Sequence, residues 1–279
     1  MIRESRIESG NMFEIDFYPV FSDGRRMPER APKTKMSCEA QKKLNLKNAR
    51  KQLNRLISTN FTSRDIVVHG TYRDSEMPSC EAEVRRDIQN YIKRIRRWRR
   101  KHGLPEMKYI YVIEAKVSER TGVLRWHFHM IMSGMDRDTA EQMWQHGDFT
   151  NADRLQPGKK GCEALAKYMI KAPMGSKRWV PSKNLDKPKV YKCRDGKISE
   201  SWLARLAQQR TDDRAYWENK YKGYRFVEAN AYYNNFNGHW YLSVVMYKDE
   251  KEENECSAKR KNRRNCFDGR DSVGSNSRK

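Results

Sequence analysis

The chain has no run of about 18 apolar residues, the least that a membrane-crossing helix needs, and Met1 to Gly10 lacks the apolar core of a secretion signal. A soluble protein of the cytoplasm is the expectation. Its six cysteines, Cys38, Cys80, Cys162, Cys193, Cys256 and Cys266, include no C-x-x-C pair, which argues against both a zinc knuckle and a disulfide framework. No G-x-x-x-x-G-K-[ST] loop occurs, so the sequence encodes no ATP-driven unwinding motor of that kind. Acids are also scarce: 36 Asp and Glu stand against 58 Lys and Arg, for a net charge of +22. The excess is spread along the chain, so the surface presents a broad positive potential and calls for a polyanion. An anionic membrane would want a helix with a large apolar face, or a lipidation site. Neither is evident, so nucleic acid is the expected partner.

At 279 residues the chain can bury a sizeable core, and one catalytic domain with appendages is the expected plan. The expected boundaries are a basic N-terminal arm and helix over 1–62, a catalytic core over 63–190, a helical and hairpin extension over 191–247, and a disordered basic tail over 248–279. In the arm, Phe13 to Val20 reads as a strand, followed by a turn at Ser22-Asp23-Gly24 and by Pro28 and Pro32. Ser37 to Ile57 reads as an amphipathic helix capped by Ser37. Asp65 to Tyr72, β-branched at Ile66, Val67 and Val68, reads as the first core strand.

Between Ser79 and Lys101, Val84, Ile88, Tyr91, Ile92, Ile95 and Trp98 recur at helical spacing, with Ser79 as the expected cap and Glu81 and Glu83 in the first turn. The other face of this helix is dense in Lys and Arg, and Arg94 and Arg97 are candidates for DNA contact. Lys108 to Val117 and Val123 to Met132 form a hairpin about Ser118 to Gly122. Short helices are expected over 138–145 and 161–171, one or two more over 198–221 with a break near Thr211, and a second hairpin from Tyr224–Ala231 and Trp240–Tyr247.

Chemistry concentrates in Arg125-Trp126-His127-Phe128-His129-Met130. On a strand, His127 and His129 project to one face and Phe128 to the other. H-x-H alone is a weak signal, but Glu114 stands in the otherwise apolar Tyr111-Val112-Ile113-Glu114, a costly place for a charge that is neither paired nor metal-bound. Folding the hairpin about 119–122 sets Glu114 roughly opposite His127. That register makes an N,N,O site with open positions, suited to Mg or Mn. The bland alternative is an edge Glu paired with a surface Arg.

Some forty residues on, Ala164 to Lys171 reads as a helix in which Tyr168 and Lys171, three apart, share a face and can meet one phosphate. A phenol ionises near pH of about 10, so as a nucleophile it needs a cation to stabilise its phenolate. Lys171 and the metal are the candidates. Lys167, Thr71 and Trp126 join the list of possible DNA contacts, Trp126 with core packing as its stronger alternative.

The order strand, Glu, hairpin, H-hydrophobic-H, then a helix bearing Y-x-x-K resembles the HUH endonucleases, and within them the rolling-circle replication initiators of bacterial plasmids and phages, including the filamentous-phage gene II type. Trp144 and Gly147 resemble a W-x-x-G that follows the histidine strand. Pro181-Ser182-Lys183-Asn184-Leu185-Asp186-Lys187-Pro188 resembles an S-x-N-L-x-x-P block, which adds Ser182 and Asn184 to the DNA-binding candidates. The resemblance covers residues 65–190. It implies an α+β fold, a central antiparallel sheet of the RRM-like palm type flanked by helices, with the histidines on a central strand; the strand reading is compatible with this. It also implies nicking of single-stranded origin DNA by Tyr168, giving a 5′-phosphotyrosine and a free 3′-hydroxyl, with a host helicase and polymerase as partners in a bacterial cytoplasm. Two-tyrosine members carry a second Tyr one turn away. Here Cys162, Ala164, Ala172 and Gly175 stand nearby instead, so one nucleophile is expected, and Glu163 lies off the Tyr168 face.

Rival readings are a relaxase, which would show a third metal histidine downstream, a transposase, which is usually shorter, and a basic module that binds nucleic acid without catalysis. His146 is too far along, across a helix, to complete a histidine triad.

Overall fold

The segments with a strong apolar period fold as that period dictates in the computed structural model, which describes residues 1–21, 38–117, 122–148, 150–171 and 177–248. In chain order the elements are β1 (Ile2–Ser9), β2 (Met12–Pro19), α1 (Glu39–Asn60), β3 (Ile66–Thr71), a 3-10 turn (Asp74–Glu76), α2 (Glu81–Lys101), β4 (Tyr109–Val117) and β5 (Leu124–Met132). They continue with α3 (Arg137–Gln142), β6 (Thr150–Arg154), α4 (Glu163–Met169), β7 (Val180–Pro181), β8 (Lys189–Val190), β9 (Arg194–Asp195), α5 (Glu200–Gln209), α6 (Arg214–Lys220), β10 (Tyr224–Asn234) and β11 (His239–Lys248). Among the described residues, two antiparallel sheets with six helices make an α+β fold. No helix among the described residues is long and apolar enough to cross a membrane.

The chain divides into two units, one of Met1–Glu4, Phe13–Pro19 and Arg194–Lys279, the other of Ser5–Met12 and Val20–Cys193. The second holds a five-stranded sheet in the order β6-β3-β5-β4-β7, with β5 at its centre. Its two faces bury different partners. On one, Val68, Tyr111, Ile113, Phe128 and Met130 pack against Val84, Ile88, Tyr91 and Ile95 of α2. On the other, Ile110, Val112 and Ile131 pack against Leu53 and Ile57 of α1 and Ala166 and Met169 of α4. The expected 63–190 core thus shares its packing with α1. Phe128 is fully buried, a contribution of about 1.5–3 kcal/mol. It fits because Gly70 lies across from it on β3, where an added Cβ would stand 2.1 Å from a Phe128 ring atom.

α2 begins with Glu81 and Glu83 and ends with Arg99, Arg100 and Lys101, complementing its dipole at both ends. Ser79 is not its cap: Cys80 holds that position, and the Ser79 N–H and hydroxyl donate to Glu83 Oε2 at 2.7 and 2.9 Å, tying the entering chain to the first turn. Later in this unit, Ile7 and Glu8 of β1 pair with Val190 and Lys189 of β8.

In the first unit, β10, β11, β2 and the start of β1 lie side by side in that order, and β9 pairs with the start of β1. Phe17 packs against the rings of Trp202 and Trp217, and Leu203, Leu242, Val244 and Met246 are buried. Ser199 caps α5 by accepting from Trp202 N at 3.1 Å. The break near Thr211 falls between α5 and α6 as expected.

The N-terminal arm holds a strand ahead of the expected one. β1 precedes β2, with the turn at Gly10, whose φ of 59° suits glycine. β1 shows no apolar alternation because a charged residue is buried and paired: Glu4 is 2% exposed and accepts from the Tyr221 hydroxyl at 3.0 Å. The expected turn at Ser22 to Gly24, Pro28, Pro32, the Ser37 cap, most of the Ser118 to Gly122 turn, and the tail beyond Lys248 lie outside the described residues.

Candidate metal and nucleophile site

The pleat of β5 sends His127 and His129 to the face that carries α1 and α4, and sends Trp126, Phe128 and Met130 to the other. On one side β4 pairs with β5 so that Glu114 lies opposite His127, the register expected from the hairpin. On the other side β3 places His69 opposite His129 and Thr71 opposite His127. Residues directly opposite in a sheet share a face, so all five side chains converge there.

Glu114 Oε2 lies 3.2 Å from His127 Nε2 and 3.5 Å from His129 Nε2. The His69 ring centroid is 4.5 Å from that of His129 and 5.4 Å from that of His127. One ligand nitrogen from each of the three histidines lies within 4.8 Å of the others. His129 is 2% exposed, and its Nε2 and Glu114 Oε1 are buried with no hydrogen-bond partner. Leaving such atoms unsatisfied costs about 1–3 kcal/mol each. A divalent cation accepting nitrogen and carboxylate donors would satisfy both, so the residues fit one.

Electrostatics favours the same forms. Burial works to raise the Glu114 carboxyl, but the His127 hydrogen bond and the close approach of the His129 ring outweigh it and hold it down at about 2. Burial, reinforced by repulsion from His129 and His127, holds His69 down at about 4, so its imidazole is neutral near pH 7. Carboxylate and neutral imidazole are the metal-binding states.

Tyr168 approaches this cluster from α4. Its ring stands edge-on to His129, with centroids 4.9 Å apart, while the residue remains 53% exposed. α1 fixes the start of that helix: the buried Asn54 accepts from Cys162 N at 2.7 Å and donates to Lys160 O at 2.9 Å. Gly161, at a φ of 67°, presses so closely on Asn54 and Ser58 that any Cβ would clash. Ala166 and Met169 then bury the inner side of α4 and leave Tyr168 at its rim.

Lys171 departs from expectation. α4 ends at Met169, Ile170 caps it with a φ of −115°, and Lys171 follows beyond the helix, exposed, its N–H donating to Tyr168 O at 3.2 Å. The two residues are neighbours through the turn, and a shared helix face no longer links them. Lys167 is exposed on α4 beside Tyr168.

Most of the remaining DNA-contact candidates make contacts within the fold. Trp126 is 8% exposed in the core under α2, on the face opposite the histidines, so it offers no ring surface for stacking at the cluster. α2 covers that same opposite face, which puts Arg94 and Arg97 across the sheet from Glu114. Arg94 is half-buried and donates to Met143 O at 3.0 Å, whereas Arg97 is exposed. Ser182 is buried, its hydroxyl accepting from Tyr109 N at 3.1 Å and its N–H donating to Tyr109 O at 2.8 Å. Asn184 donates to Met107 O at 3.3 Å. These bonds pin the 181–188 segment to the start of β4, about 17 Å along the strand from Glu114 at about 3.4 Å per residue.

The W-x-x-G pair braces the end of β3 instead. Trp144 Nε1 donates to Thr71 O at 2.6 Å, and a Cβ on Gly147 would stand 2.2 Å from that same oxygen. His146 turns to Glu76, 2.7 Å away, outside the histidine cluster.

The sequence reading missed His69. Its one signal is a histidine following Ile66-Val67-Val68, in line with the strand's apolar residues. Only the pairing of β3 with β5 reveals its partners.

Residues 66–173 match the model of a family described as replication-associated proteins of the ORF2 and gene II protein type, consistent with a gene II-type rolling-circle replication initiator. The matched span contains His69, Glu114, His127, His129, Tyr168 and Lys171. Similarity to replication-associated proteins implies interaction with DNA. No curated protein and no solved structure matches the chain.

Proposed function

We propose that the chain initiates rolling-circle replication by nicking single-stranded origin DNA through tyrosine transesterification. The observation that carries this reading is the half-exposed Tyr168 ring, edge-on and 4.9 Å from the buried His129, at a cluster of three imidazoles and one carboxylate. His69, His127, His129 and Glu114 would hold a divalent cation, Mn or Mg. When bound, it supplies positive charge that polarises the scissile phosphate and offsets the charge developing there.

The Tyr168 phenol loses its proton to solvent and its oxygen bonds to phosphorus. The bond from phosphorus to the 3′ oxygen breaks, and that oxygen takes up a proton. The products are a 5′-phosphotyrosine and a free 3′-hydroxyl. One phosphodiester replaces another, so the reverse step can rejoin strands. Lys167 and Lys171, on either side of Tyr168 in the chain, would supply positive charge for the strand, Lys171 to orient the phosphate or stabilise the phenolate. The 3′-hydroxyl then primes a host polymerase, with unwinding left to a host helicase or to DNA supercoiling.

The test is a denaturing gel of labelled single-stranded origin oligonucleotides incubated with Mn. A covalent adduct is expected from the wild type, and none from Tyr168→Phe or in the presence of a chelator. Binding without cleavage or adduct, across the candidate origin sequences, would leave a basic binding module and overturn the proposal.

A further inference from the structure

The hairpin of β10 and β11 belongs to neither the metal cluster nor the α4 helix, and its composition is unlike the rest of the chain. Charged residues make up 34% of the sequence, yet Ala229 to Tyr247 contains no Asp, Glu, Lys or Arg. The same stretch contains Tyr232, Tyr233, Phe236, Trp240, Tyr241 and Tyr247. At its tip Phe236 is 98% exposed. Leaving a ring of that size wholly in water forgoes the burial that usually justifies it.

The tip is also built. Asn234 O accepts from the N–H groups of Asn237 and Gly238 at 3.2 and 2.9 Å, and Asn234 Oδ1 accepts from Phe236 N at 3.0 Å. Asn237 donates to the Tyr241 hydroxyl at 2.8 Å and accepts from His239 N at 3.2 Å. Gly238 takes a φ of 69°, which suits glycine. The side chains of two asparagines thus hold the turn that projects Phe236, which lowers the ordering cost of using it. Behind the tip, Tyr232 stacks on Tyr241 with centroids 4.8 Å apart, and Tyr233 lies 5.3 Å from Trp240. Neighbours in a strand alternate faces, so ring surface flanks the tip on both sides of the hairpin.

We infer that this hairpin is a base-stacking element, with Phe236 at its tip inserting among the unpaired bases of single-stranded nucleic acid. The charge pattern selects the occupant. A second copy of the chain would bring another +22 charges, whereas a nucleic-acid strand joins a polyanionic backbone, attracted by the basic remainder, to uncharged planar bases that suit a neutral aromatic tip. The inference rests on the proposed function only in taking nucleic acid as the partner.

The probe is a fluorescein-labelled, mixed-sequence single strand, with an abasic strand of equal length as its control, read by anisotropy across a salt series. Phe236→Ala is expected to weaken binding to the normal strand roughly tenfold, with Phe236→Trp restoring it. The slope against salt should not change, because no phosphate contact is lost. On the abasic strand the wild type and Phe236→Ala should bind alike. Equal affinity of both proteins for the normal strand overturns the inference, as does a difference that persists on the abasic strand. So does a Phe236→Ala effect confined to the oligomeric state seen by light scattering. Failure of the nicking proposal reads differently: the wild type binds, Phe236 matters, and no Tyr168 adduct forms.

Discussion

Two residues one step apart on β5, Phe128 and His129, meet opposite environments. Phe128 enters an apolar layer with Val84, Ile88 and Tyr91, where shape alone decides the fit. His129 is equally hidden, yet its Nε2 and the neighbouring Glu114 Oε1 are left without partners. At this step of the strand the pleat puts a purely apolar contact on one face and unsatisfied polar atoms on the other.

Phe128→Ala breaks the first face and should have the largest effect, a loss of about 3–5 kcal/mol read by urea denaturation. Gly70→Ala attacks the same contact from β3, and part of its cost should return in combination with Phe128→Leu, because the two sites share one space. His129→Ala breaks the second face. It should cost the metal-free protein less than Phe128→Ala, since it also removes an unsatisfied buried nitrogen. It should abolish the stabilisation by added Mn, about 2.7 kcal/mol at roughly 100 times the dissociation constant.

His69→Ala sharpens the comparison further. Titration calorimetry should show Mn affinity falling by at least the roughly tenfold that follows loss of an outer-sphere partner, and falling more for Mn than for Mg, because the lost donor is an imidazole. An unchanged Mn affinity would place His69 outside the donor set. Ser182→Ala should have the smallest effect, about 1 kcal/mol of stability with no change in adduct formation. A drop in adduct yield without a drop in stability would return Ser182 to the DNA interface.

What the sequence revealed follows from range. Strand parity put His127 and His129 together and Phe128 apart, and a short hairpin set Glu114 against His127, because each of these depends on local spacing. His69 needed the non-local pairing of β3 with β5. Lys171 was misplaced because residue spacing does not announce that Ile170 leaves helical geometry and ends α4 early. Ser182 and Asn184 were expected from a motif to contact DNA; their hydrogen bonds to Tyr109 and Met107 join segments some seventy residues apart, which no local spacing announces. β1 escaped because its buried Glu4 is satisfied by Tyr221, far along the sequence.

The most direct test of the central claim is to digest a covalent protein–DNA adduct and map the nucleotide-bearing peptide by mass spectrometry. The chain has 14 tyrosines, so the position is informative. The expected result is a phosphodiester on Tyr168 alone, formed only with divalent metal. A nucleotide on any other residue, or an adduct formed equally well in chelator, would contradict it.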